Sequence, residues 1–118
     1  MRKNVIREKS FLFSVEIVKL HKELFKENPG ISRQLLRSGT SIGANVSEAE
    51  HAQSSRDFIN KLSISRKEAN EWKYWLELLE ATSYLDPNKS KKLIDQVDEI
   101  TKILTSIIKT MKSKVNQN

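Results

Sequence analysis

The chain has no cysteine among its 118 residues. This excludes a disulfide framework and any thiolate metal site, and nothing points to an oxidising compartment. Proline and glycine are also scarce, at two and three residues, too few to punctuate a succession of β-turns, so alternating strands find little support. No apolar run approaches the roughly 18 to 20 residues that a membrane span requires, and the opening MRKNVIREKS lacks the continuous apolar segment of a signal peptide. The expectation is a cytoplasmic chain without membrane contact. Its length suits one domain, 1–118, with one modest core.

What is present is helical periodicity. It predicts an all-α fold with helices over about 10–28, 32–52, 55–84 and 87–113. Ser10 and Ser32 are read as N-caps, Asn28-Pro29-Gly30 as a stop, Ser54 with Asp57 as a capping signal, and Asp86 with Pro87 as the last helix start. Short connections between four helices predict an antiparallel up-down-up-down four-helix bundle.

The third helix carries Phe58, Leu62, Ser65, Ala69, Trp72, Leu76 and Leu79 at alternating spacings of four and three, and the fourth repeats this with Leu93, Val97, Ile100, Leu104, Ile107 and Met111. Such seams belong to left-handed bundles. In the second helix Ser38, Gly39, Thr40, Ser41, Gly43 and Ala44 bring small residues together. Each interior glycine costs about 1 kcal/mol of helix propensity relative to alanine, which implies a packing reason for Gly39 and Gly43. A loop over Arg37 to Gly43 is the alternative.

Two helices have more apolar surface than one core face uses. In the first, Phe11, Val15, Val18 and Phe25 oppose Phe13, Ile17, Leu20 and Leu24; in the third, Tyr74, Trp75 and Leu78 widen the arc beside the seam. These helices lie diagonally in the predicted bundle, and two different patches on opposite flanks fit a head-to-tail ring. Phe13, Ile17, Leu20, Leu24, Tyr74, Trp75 and Leu78 are therefore the candidate oligomer interface, unless the extra residues only broaden one core.

Catalytic and metal-binding patterns are weak. Glu48 and His51 have the Glu-x-x-His spacing of di-iron bundles, but no second such motif accompanies them, and no serine has a recognisable activating His and acid. No metal, cofactor or enzymatic activity is expected. The polar series Gln34, Arg37, Ser41, Asn45 and Glu48 recurs every three or four residues and predicts a structural seam in which Arg37 faces Glu68, Arg33 faces Trp72, and Asn45 faces Lys61. The alternative sends Arg33 and Arg37 outward to phosphate.

The net charge is +6. Residues 1–30 and 86–118 each have seven basic and four acidic residues, whereas 31–53 and 54–85 are neutral. In an up-down-up-down bundle Arg2, Lys3, Arg7 and Lys9 share an end with Lys109, Lys112 and Lys114. That end is the first candidate for phosphate, with Arg33 and Arg37 next.

The run RQLLRSGTSIGANVSEAEHAQSSRDFINKLSISRKEANEWKYWLELL closely resembles the bacterial four-helix-bundle proteins named after intervening sequences in 23S ribosomal RNA genes, the S23 family. Arg37, Ser41, Asn45 and Glu48, then Phe58 and Glu68 to Glu71, carry the likeness, which extends from about Glu8 to Lys112. The resemblance implies a homopentamer without known enzymatic activity. The family is similar to the accessory variability protein of diversity-generating retroelements, a basic pentameric bundle that binds nucleic acid and a reverse transcriptase. Charge and resemblance together predict a non-enzymatic oligomer that binds nucleic acid, RNA rather than DNA, through its backbone, with a nucleic-acid-processing protein as a further partner. The competing expectation is a protein-interaction scaffold with no nucleic-acid contact.

Overall fold

Helix boundaries follow from where backbone N–H groups find acceptors. In the computed structural model, which describes residues 3–116 with side chains from Val5 onward, four helices form: α1 (Lys3–Leu24), α2 (Pro29–Ala49), α3 (Ser55–Ala81) and α4 (Pro87–Asn116). Asn28 caps α2, its side chain accepting from Ile31 N at 3.1 Å, and Pro29 occupies the first turn, where a missing N–H costs nothing. Ser54 accepts from Asp57 N at 3.0 Å to open α3, and Asp86 accepts from Asn88 N at 3.1 Å to open α4.

Two predicted caps are instead interior residues. Ser10 lies well inside α1, buried, with its hydroxyl donating to Arg7 O at 3.1 Å. Ser32 lies one turn inside α2, also buried, with its Oγ 2.7 Å from His21 Nδ1. A serine hydroxyl can bond the preceding turn or a neighbouring helix as well as a helix start, so the predicted starts at 10 and 32 fall too late. The ends predicted at 28, 52 and 84 run past those observed at Leu24, Ala49 and Ala81. After α3 the chain reverses at Ser83, whose φ of 67° is left-handed, while Tyr84 N donates to Leu79 O at 2.9 Å.

Each helix packs on its neighbours in sequence, and α1 also meets α4, which closes the up-down-up-down bundle; α1 and α3 stand on one diagonal. The described residues measure 52 × 22 × 21 Å. The predicted α3 seam is buried from Leu62 to Leu79, with Phe58 half-buried at its start. In α4 the buried line runs Ser90, Leu93, Val97, Ile100, Leu104 and Ile108, so the last predicted seam residues, Ile107 and Met111, are only half-buried.

The central layer explains the glycines. Helix α2 is continuous through both, so the predicted alternative of a loop does not occur. A Cβ on Gly39 would lie 2.8 Å from Ile17 Cγ2 and 3.0 Å from Trp72 Cδ1, and one on Gly43 would lie 3.0 Å from Ser14 Oγ and 3.2 Å from Ser10 O. Glycine thus lets α1 and Trp72 approach the α2 backbone directly. Trp72 is fully buried and meets the edge of Phe13 at 4.8 Å between ring centroids, with its indole N–H lacking a hydrogen-bond partner among the described residues.

Gly39→Ala should therefore destabilise the protein, because displacing Ile17 or the indole costs about 1–3 kcal/mol against a propensity gain of about 1 kcal/mol. Nothing lies within 4 Å of a Cβ on Gly30, so Gly30→Ala should be neutral or slightly stabilising. Thermal melts of the two variants measure the difference; equal melting temperatures would remove the steric account.

Candidate nucleic-acid interface

The phase of α1 decides which of its apolar faces is available to partners. Phe13, Ile17, Leu20 and Leu24, predicted as an oligomer interface, are buried inside the chain's own core together with Ile6. Ser10 and Ser14 on the same side of α1 let it approach Gly43, while Ile17 fills the space beside Gly39. Of the opposite set, Phe11 is 66% exposed, Val18 is exposed and Val15 and Phe25 are half-buried, and Leu12 beside them is 55% exposed. On α3, Tyr74 is exposed and Trp75 and Leu78 are half-buried.

At the centre of the polar seam Arg37 binds carboxylates of α3, and elsewhere the partners differ from the predicted ones. Arg37 Nη1 donates to Glu68 Oε2 at 3.0 Å, Nη2 to Glu71 Oε2, and Nε to Gln34 Oε1 at 3.2 Å. Glu71 Oε2 also accepts from Trp75 Nε1 at 3.0 Å. Arg37 is thus committed to two carboxylates. Ser41 and Asn45 turn back onto their own helix, to Arg37 O and Ser41 O, and Lys61 pairs with Glu48 at 3.9 Å in place of the predicted Asn45. Arg33 does not face Trp72, which is inside the core; its guanidinium lies over Phe25 at 5.1 Å, and that ring stacks on His21. His51 is in the turn after α2, so Glu48 and His51 do not share a helical face. Among the described residues no group of three or more His, Asp or Glu is placed to hold a metal ion.

The predicted basic end is partly neutralised. Arg7 pairs with Glu50 at 3.4 Å and Lys9 with Glu99 at 3.1 Å, because the acidic end of α2 and a turn of α4 arrive beside the start of α1. Arg2 and the side chain of Lys3 lie outside the described residues. Lys109, Lys112 and Lys114 make no ion pair among the described residues, but they do not point together: Lys114 is about half a turn around α4 from Lys112.

Lys109 and Lys112 belong to a different surface, which the sequence reading missed. Helical spacing puts Lys109 and Lys112 on one line of α4 with Thr105 and Asn116, next to the α3 line of Arg56, Asn60, Ser63 and Lys67. The two lines meet: Arg66 Nη1 donates to Thr105 Oγ1 at 3.4 Å, and Arg56, Asn60, Ser63, Lys112 and Asn116 line one shallow groove. Five cations, Arg56, Arg66, Lys67, Lys109 and Lys112, share this face. Helix α4 has no acidic residue after Glu99, and α3 has none between Asp57 and Glu68. Asp57 is turned back to Gln53 N at 3.3 Å, and Glu68 is held by Arg37 on the α2 side. The neutral charge of 54–85 concealed this sorting, since Glu68 and Glu71 turn to Arg37 on α2 while Arg56, Arg66 and Lys67 lie on the outer and α4 sides of α3. The missed signal was the acid-free stretch common to the start of α3 and the end of α4.

The sequence matches the model of the 23S rRNA-intervening sequence protein family over residues 2–106. The chain belongs to this family. A crystal structure of a protein of unknown function from the S23 ribosomal protein family of Bacteroides thetaiotaomicron is 53% identical to it, with a TM-score of 0.89, covering 92% of this chain and 99% of the other. No curated protein matches the sequence. The family match contains Arg37 with its two glutamates and the α3 cations, whereas Lys109 and Lys112 lie beyond its last matched residue. Among the described residues, no helix of this family member is long and apolar enough to cross a membrane.

Arg37→Ala should lower stability by about 1 kcal/mol, the scale of a half-exposed ion-pair network, because Glu68 is only 14% exposed and would lose its partner. Arg37→Lys should recover only part of the loss, since a point charge lacks the guanidinium fork that reaches both carboxylates. Chemical denaturation in low and high salt measures both; an unchanged midpoint for Arg37→Ala would show the network to be idle.

Proposed function

We propose that this chain is a non-enzymatic, homopentameric basic bundle that binds RNA through its phosphate backbone. The observation that carries the reading is the α3/α4 face, where Arg56, Arg66, Lys67, Lys109 and Lys112 stand among Asn60, Ser63, Thr105 and Asn116 without a free carboxylate among the described residues. Lysine and arginine supply the charge that releases counterions from phosphate, and the short amides and hydroxyls can bond phosphate or ribose oxygens without reading sequence. Backbone recognition implies weak sequence specificity. The family's association with 23S rRNA intervening sequences favours RNA over DNA, in a cytoplasmic setting.

Self-association is assigned to apolar surface that the monomer leaves open. Phe11, Leu12, Val15 and Val18 form one contact face on α1; the Trp75 side of the diagonal helix, turned toward α2 and about 100° around the helix from Tyr74, forms the other. Two unlike faces on opposite flanks suit a closed head-to-tail ring, which would repeat the basic face once per subunit. The same α1 strip is what favours the second reading, a protein-interaction scaffold whose positive charge serves solubility.

Two experiments test these readings. Binding to structured RNA should weaken steeply as salt rises, and replacing Arg56, Lys109 and Lys112 by Gln should flatten the slope of log affinity against log salt by about 2 units, since each phosphate contact contributes about 0.7 to 0.9. Equal slopes for wild type and variant would move the binding surface elsewhere, and salt-insensitive or absent binding would favour the scaffold. Phe11→Glu with Val18→Glu should give helical monomers by light scattering, because both residues are exposed in the monomer; an intact oligomer would remove the α1 interface.

A further inference from the structure

We infer that the α3/α4 face takes unpaired rather than duplex RNA and that Tyr74 stacks against a nucleobase at the end of the cationic track. This rests on the RNA-binding reading proposed above. Arg56, Asn60, Ser63, Lys67, Asn70 and Tyr74 follow one line along the outside of α3. Tyr74 lies seven residues beyond Lys67, about 10 Å along the axis at 1.5 Å per residue. Its ring is 59% exposed.

The ring is also held in place. Arg37 engages Glu71, Glu71 Oε2 accepts the Trp75 indole N–H at 3.0 Å, and Trp75 meets Tyr74 edge to face with ring centroids 5.1 Å apart and planes at 72°. This chain of contacts orders one side of Tyr74 and leaves ring surface facing solvent. Charge then distinguishes what each part of the track can accept. Phosphate is favoured from Arg56 to Lys67, but Glu77, exposed on the turn after Tyr74, opposes a further phosphate. A nucleobase is uncharged and presents a π face, so it can continue where the backbone cannot. Bases are available to an external ring only in an unpaired strand, since in an A-form duplex they are stacked on one another.

The test compares Tyr74→Ala and Tyr74→Phe with wild type, using a fluorescent uridine oligomer of about 15 nucleotides and a duplex formed from the same oligomer and its adenosine complement. Tyr74→Ala should weaken the single strand at least about fivefold, the lower bound for one lost base stack, and change duplex affinity by less than about twofold; Tyr74→Phe should retain single-strand affinity. The inference is overturned if Tyr74→Ala leaves the single strand unaffected or weakens both RNAs equally. If wild type binds neither RNA at low salt, the RNA-binding function itself fails and the assignment of Tyr74 with it. Loss confined to the Arg56, Lys109 and Lys112 variant would leave backbone binding in place and remove the stacking role.

Discussion

The structure depends on an approach too close for a methyl group. Gly39 leaves its α2 backbone open to Ile17 and to the indole of Trp72, and Gly43 does the same for Ser10 and Ser14 one turn later. These contacts bring α1, α2 and α3 together at one level and fix the rotation of α1. Phe13 can then meet Trp72, and Ile6, Leu20 and Leu24 follow it into the core. Close packing at this density tolerates little displacement, so the rotation is a firm choice between two apolar faces. Everything available to a partner on the α1 flank follows from it.

A second constraint is the sorting of charge around α3. Arg37 draws Glu68 and Glu71 to the α2 side, Lys61 pairs there with Glu48, and Arg56, Arg66 and Lys67 face outward or toward α4. The same ion-pair cluster serves two ends: it ties α2 to α3 and it holds Trp75 beside Tyr74. A structural role for Arg37 and a binding role for the face behind it are therefore compatible. The end of the bundle shows the opposite outcome, where Glu50 and Glu99 reduce the field of Arg7 and Lys9.

Exposed Phe11 and Leu12 are unusual on the surface of a monomer when they form a continuous strip with Val15 and Val18. Their position opposite the α2/α3 edge puts the apolar flanks apart from the basic α3/α4 face. A bundle arranged in this way can associate with copies of itself without covering its cations.

The sequence by itself determined four helices, their order, the seam of α3, most of that of α4 and the close packing at the glycines. Each rests on local periodicity or on a cap, and such signals are written in residues a few positions apart. The caps at Asn28, Ser54 and Asp86 had competitors in Ser10 and Ser32 that local reading could not exclude, because a buried serine and a capping serine look alike in sequence. Ile6 extends the inward line of Phe13 and Ile17 into the segment before residue 10, where the predicted helix has not yet begun. Only the tertiary structure decided which α1 face is buried, which lysines are neutralised, and that Arg56, Arg66 and Lys67 meet Lys109 and Lys112. Those outcomes depend on helix rotation and on neighbours more than thirty residues away, and a net charge summed along a segment contains neither.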